Sequence, residues 1–156
     1  MNDRTNGPLE GRSLLLVLAP LFWTQLPPLG LAYLEEYLRS RGEHPDIYDM
    51  NIDLFRALEA PLKQKWKYAH ERAITETFFS DLQKSAPLVL EKALSTLTRR
   101  EYAVFGFSVF RSNLKFSLEC ARRVKSLFPE SRVVFGGPEI STRLTDRAFF
   151  EKLETS

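Results

Sequence analysis

The chain has a single cysteine among its 156 residues, and only two histidines. A lone Cys120 excludes an internal disulfide, a cysteine-rich cluster and a zinc knuckle, and it fits a reducing compartment. Neither sign of charge dominates. Lys and Arg number 22 against 20 Asp and Glu, for a net charge of +2, and the basic residues are scattered rather than striped. That pattern argues against a nucleic-acid surface. Long apolar runs are missing too: Leu14 to Phe22 is too short to span a bilayer, and the residues before it are too few and too polar for a signal peptide. No Ser-His-Asp set, carboxylate pair or phosphate loop stands out, so no catalytic residue and no metal ligand is assigned. What remains is a soluble, cytoplasmic chain of one domain, long enough for a real core but short for an enzyme with separate cofactor and substrate domains.

What is present is an alternation of strands and helices. Residues 1–12 are polar, with Gly7-Pro8 and Gly11, and read as a flexible arm before a domain over 13–156. Leu14 to Ala19 is apolar on both faces, as expected of a parallel strand covered on each side. Pro20 to Pro28 follows as a loop whose Leu21, Phe22, Trp23 and Leu26 either fold back on the core or line a pocket. A helix is predicted from Pro28 to Arg41, with Leu31, Leu34 and Leu38 on one stripe and Gly42 closing it. A short strand, Asp46 to Met50, comes next.

Residues 52–100 then break the alternation with a helical insertion. Pro61 interrupts its first helix, and Ser85 with Pro87 suits the cap and first turn of a last helix carrying Leu90, Ala93, Leu94 and Leu97. Trp66, Tyr68, Phe78 and Phe79 give this insertion a buried aromatic face, Trp66 having a ligand-stacking role as its alternative. The regular pattern resumes with a strand at Tyr102 to Phe107 and a helix from Leu114 to Phe128. That helix is read with Leu114, Leu118, Ala121, Val124 and Phe128 inward and Ser112 or Asn113 as cap. A strand at Arg132 to Phe135 and a further helix over 144–153 complete the pattern. The fold class is α/β, a flavodoxin-like, Rossmann-like, doubly wound parallel sheet with a helical insertion after the second strand and lacking its last strand.

Such a sheet concentrates its binding loops. Where strand order reverses between the first and third strands, the loops after them diverge and leave a crevice at the carboxyl ends. Those loops are Pro20 to Pro28 and Ser108 to Asn113. Two small-residue turns, Gly106-Phe107-Ser108 and Gly136-Gly137-Pro138, stand beside them. Paired glycines let a flat ligand approach the backbone, and Ser108 supplies one hydroxyl.

At these residues the chain resembles the N-terminal cobalamin-binding domain of B12-dependent radical SAM proteins. The likeness runs through Pro27-Pro28-Leu29-Gly30-Leu31-Ala32-Tyr33-Leu34, Tyr48-Asp49-Met50-Asn51, Gly106-Phe107-Ser108-Val109-Phe110 and Val134-Phe135-Gly136-Gly137-Pro138-Glu139. It covers nearly the whole chain. In that superfamily a serine after the third strand and a glycine pair after the fourth embrace the nucleotide tail of the cofactor, at a spacing close to that from Ser108 to Gly136. The resemblance thus implies cobalamin contacts at Ser108, Val109, Phe110 and Arg111, with Val109 and Phe110 walling the slot. Gly136, Gly137 and Pro138 form the opposite wall, and Trp23, Gln25 and Leu26 belong to the loop under the cobalt.

Two departures shape what the resemblance implies. The Asp-x-His-x-x-Gly motif that carries a cobalt-ligating histidine is replaced by Phe22-Trp23-Thr24-Gln25-Leu26. His44 opens the second strand and His70 is assigned to a solvated helical position, so cobalamin is expected base-off without a histidine ligand. The Cys-x-x-x-Cys-x-x-Cys motif of a radical SAM iron-sulfur cluster is also absent, since Cys120 is a packed thiol within a helix. The chain is therefore expected not to be an enzyme on its own. It reads as a C-terminally truncated or split cofactor module whose cluster and SAM belong to a separate catalytic domain. Its expected partners are cobalamin and either that domain or a second copy, docked through the uncovered edge of strand 132–135. The alternatives are a flavodoxin-like domain for another ligand, such as a nucleotide, and a protein-interaction module with a vestigial pocket, in which Trp66 and Phe78-Phe79 do the binding.

Overall fold

The computed structural model describes residues 14–143 and 145–149, so the arm at 1–12 and half of the helix expected over 144–153 lie outside the described residues. Strands β1 (Leu14–Leu18), β2 (Asp46–Asp49), β3 (Val104–Ser108) and β4 (Arg132–Gly136) form one all-parallel sheet in the order β2-β1-β3-β4. This is an α/β, flavodoxin-like arrangement in which the order reverses between β1 and β3.

Because side chains alternate along a strand, the register sorts every residue to one face or the other. Leu15, Val17, Phe105, Phe107, Val133 and Phe135 point to one face. There they pack against α2 (Met50–Ala57), α4 (Arg72–Ser85), α5 (Pro87–Leu97) and α6 (Leu114–Leu127), and most of the core lies on this side. Leu14, Leu16, Leu18, Gly106 and Val134 point to the other face. Here α1 (Leu29–Arg39) lies over β1, and of its predicted stripe only Leu31 is buried, with Leu38 half-buried and Leu34 exposed. Gly42, at φ +83°, closes this helix as expected.

The helical insertion begins two residues before the expected boundary. Met50 belongs to α2 rather than to β2, because the Asp49 carboxylate caps the helix by accepting from the Ile52 N–H at 3.0 Å. After α3 (Ala60–Lys63) comes a 3₁₀ turn (Gln64–Tyr68). Trp66 is buried there, edge-on to Phe55 at 5.3 Å and to Phe78 at 5.1 Å, and Phe79 packs on Phe116. Of the rings expected on this face, Trp66 and Phe78 are buried in the core and Phe79 is half-buried against it. Pro87 does occupy the first turn of α5, but Ser85 is the last residue of α4 and caps nothing: Ala86 stands at the cap position.

The buried face of α6 also differs from expectation. It is centred on Cys120, with Phe116, Ser117, Ala121 and Val124, whereas Leu118 is only half-buried. The Cys120 thiol lies 3.7 Å from the Met50 sulfur and is wholly enclosed, and burial pushes its pKa far up. It is a packing residue, inert as a nucleophile.

At the amino edge of the sheet Tyr102, expected to open the third strand, instead precedes it with a fully buried ring. Its hydroxyl donates to Asp46 Oδ2 at 2.7 Å, where Arg100 also donates at 2.7 Å, while Ser131 Oγ donates to the Tyr102 carbonyl. The Tyr102 hydrogen bond and the Arg100 charge hold the Asp46 carboxyl below its usual value, against the opposing effect of burial. β4 is one of the two edge strands among the described residues, and Val134 on it is 51% exposed. Among the described residues no helix is long and apolar enough to cross a membrane.

Candidate functional site

The carboxyl ends of β1, β3 and β4 meet at one edge, and three polar side chains lock the loops there. Asn113 is fully buried. Its Oδ1 accepts from the Phe110 N–H at 2.8 Å, and its Nδ2 donates to the carbonyls of Ala19 and Ser108 at 3.1 Å each. One amide thus ties the end of β1 to the end of β3 across the switch point. Ser112 Oγ donates to the Leu21 carbonyl at 2.7 Å. Asn51 Oδ1 accepts from the Phe22 N–H at 2.9 Å and from Trp66 Nε1 at 2.8 Å, fastening the first loop to the insertion. The Trp66 to Asn51 and Asn113 to Ala19 bonds are fully buried and satisfy groups that would otherwise be left unpaired there.

The turn after β4 is fixed by backbone alone. Val109 N–H donates to Gly136 O at 2.7 Å, and Glu139 N–H to Val109 O at 3.2 Å. Gly137 sits between them at φ +103°, and a Cβ there would lie 2.7 Å from Val109 O. The backbone itself therefore demands this glycine. The four-residue α7 (Pro138–Ser141) follows at once.

Beside this turn, between the sheet and α1, lies an apolar groove of about 410 Å³. Leu16, Gly106, Val134 and Gly136 make its floor; Ser108, Phe110 and Pro138 stand at its end; Gly30, Leu31 and Leu34 form the wall from α1. Gly106 is not in a turn. It lies in the middle of β3, paired with Leu16 and Val134, where a Cβ would stand 3.1 Å from Leu16 Cδ2. At Gly136 a Cβ would meet nothing within 4 Å, so its missing side chain is open groove. The Ser108 hydroxyl makes no hydrogen bond with the described residues.

The ten residues singled out in the sequence fall into separate compartments. Ser108, Phe110, Gly136, Gly137 and Pro138 share the groove. Val109 does not wall it: strand alternation carries Val109 to the opposite face, where it is wholly buried in the main core. Trp23, Gln25 and Leu26, all exposed, line a second cavity of about 620 Å³ with Phe55, Lys63 and Trp66. Arg111 lines a third, of about 480 Å³, with Trp23. The Phe22 and Phe110 rings, 4.6 Å apart, stand between the groove and these two clefts. His44 is exposed ahead of β2, at the far edge of the sheet. His70 is not on a helix: it occupies the turn before α4 and lines the third cavity. Among the described residues no three His, Cys, Asp or Glu side chains gather as a metal site.

Asn51 and Asn113 are the residues that sequence reasoning undervalued. Asn113 was available only as a helix cap, yet its side chain reaches back to the strands instead of forward to the helix. Comparison of the chain with models of protein families, with curated proteins and with solved structures finds no match in any of the three.

Proposed function

We propose that this domain is a corrinoid-binding module that takes cobalamin base-off, with no histidine on the cobalt. One observation carries the reading: an apolar groove beside the sheet's switch point is floored by two glycines and bears a single unpaired hydroxyl, that of Ser108. A flat, weakly polar aromatic base such as dimethylbenzimidazole suits that lining, because the walls offer dispersion contacts and Ser108 can donate to or accept from one ring nitrogen. Gly106 and Gly136 keep the floor clear. Phe110 closes the end of the slot, and on this reading the Trp23 to Leu26 loop, beyond the Phe22 and Phe110 rings, would be the cover for the lower cobalt face.

Bound cobalamin would supply a cobalt centre for methyl transfer or related radical chemistry, with the iron-sulfur cluster and SAM carried by a separate radical SAM domain. The work left to this chain is to bind, orient and exclude solvent. Incubation with hydroxocobalamin followed by desalting tests the proposal. The protein is expected to retain corrinoid with a base-off visible spectrum, and Gly136→Phe, which fills the groove from a position with free space, should abolish retention while far-UV circular dichroism is unchanged. His70→Ala should leave the spectrum as it is. Complete loss of corrinoid from folded wild-type protein would overturn the reading.

A further inference from the structure

The third cavity has a composition that the apolar groove does not share. Lys67, His70, Arg72 and Arg111 line it, together with Trp23 and Trp66, and no Asp or Glu does. The adjoining second cavity adds Lys63 and again has no carboxylate in its lining. In a chain whose acidic residues nearly equal its basic ones, an ordinary solvated face would intersperse the two signs. Of the Lys and Arg side chains Arg72 pairs with Glu76 at 2.6 Å on the open surface, whereas Lys67 and Arg111 form no ion pair among the described residues. The concavity is about 480 Å³, within the range of small-molecule sites. At its rim the Trp23 indole is 67% exposed, with Phe22 as its only ring contact among the described residues, at 6.2 Å.

We infer that this cleft binds a small polyanion bearing an aromatic ring, of the nucleotide class. Lys67 and Arg111, from the insertion and the β3–α6 loop, converge on the anionic groups from two sides, and Arg can engage a phosphate through two parallel donors. Trp23 provides the stacking face for the ring. The inference uses neither the groove nor a corrinoid, and its readout is a different one, so either reading can fail alone.

Both tryptophans of the chain line this cleft, so intrinsic fluorescence reports on it directly. Titration of the full chain with ATP should give saturable quenching. The Lys67→Glu, Arg111→Glu double variant should weaken apparent affinity by about tenfold or more, and added salt should weaken it further. Arg132→Glu, the same charge reversal at the opposite edge of the sheet, should not. Tripolyphosphate should bind at least about tenfold more weakly than ATP, because it cannot stack. Absence of saturable quenching up to about millimolar ATP, or equal affinity in the folded double variant, would overturn the site. Equal affinity for tripolyphosphate would overturn the aromatic part of its specificity.

Discussion

The two faces of the sheet are built from the same four strands and are covered very differently. On one face Phe105 and Phe107 meet the insertion helices and α6, and the side chains interlock with little space left. On the other, glycines stand at Gly106 and Gly136 where the first face has phenylalanines at 105, 107 and 135, and among the described residues α1 covers β1 while β3 is only half-buried and Val134 on β4 is exposed. One face holds the fold together, and the other is available to something else.

The largest test of this contrast is truncation on each face. Phe105→Ala, at a fully buried ring, should lower stability by about 3–5 kcal/mol, whereas Val134→Ala on the open face should change it by less than about 1 kcal/mol, both read from urea denaturation. A wide loss at Val134 would mean that the groove is a working part of the core. Next comes the tie between the ends of β1 and β3: Asn113→Ala removes the acceptor of the Phe110 N–H and the donor to two carbonyls, for an expected loss of about 2–3 kcal/mol.

Within the turn after β4, the two glycines should part company. Gly137→Ala is expected to lose about 1–3 kcal/mol from its positive φ and its approach to Val109, while Gly136→Ala should stay within about 0.5 kcal/mol of wild type. The smallest effect lies outside both faces, at the amino edge. Asp46 is partly exposed, so Asp46→Asn should remove at most about 1 kcal/mol at neutral pH. Its folded pKa lies below the unfolded one, so that stability is present above the ordinary aspartate range and is lost as pH falls through the lower folded value. Asp49 runs the other way. Burial raises its carboxyl despite the Ile52 hydrogen bond, so its contribution worsens as pH rises through the carboxylate range, and Asp49→Asn should flatten that slope. Acid titration of thermal stability in the two variants separates the opposing trends.

The strand and helix pattern was legible in the sequence because it rests on local signals. Leu14 to Leu18, the proline at the start of α5 and the apolar run of β4 each announce their element without help from the rest of the chain. Which residues would share a pocket was only partly legible. Alternation alone separates Val109 from Ser108, and it places Gly106 on the groove side, once β3 is known to run to Ser108 rather than to end at Phe107. That boundary depends on pairing with β4, where Ser108 stands opposite Gly136, a long-range contact with no local signature. The same holds for Asn51, whose two partners come from distant segments, and for His70, which the fold carries to a cavity beside the loops after β1 and β3.

The close approach of Gly137 to Val109 has a mechanical side. It welds the turn after β4 to the end of β3, and Asn113 pins that same end to β1, so the floor of the groove moves as one piece. The opposing wall is α1, which is seated by Leu31 and leaves Leu29, Tyr33, Leu34 and Tyr37 exposed. The groove is thus walled on one side by strands tied to one another and on the other by a helix seated chiefly through one leucine, so its width follows the tilt of that helix.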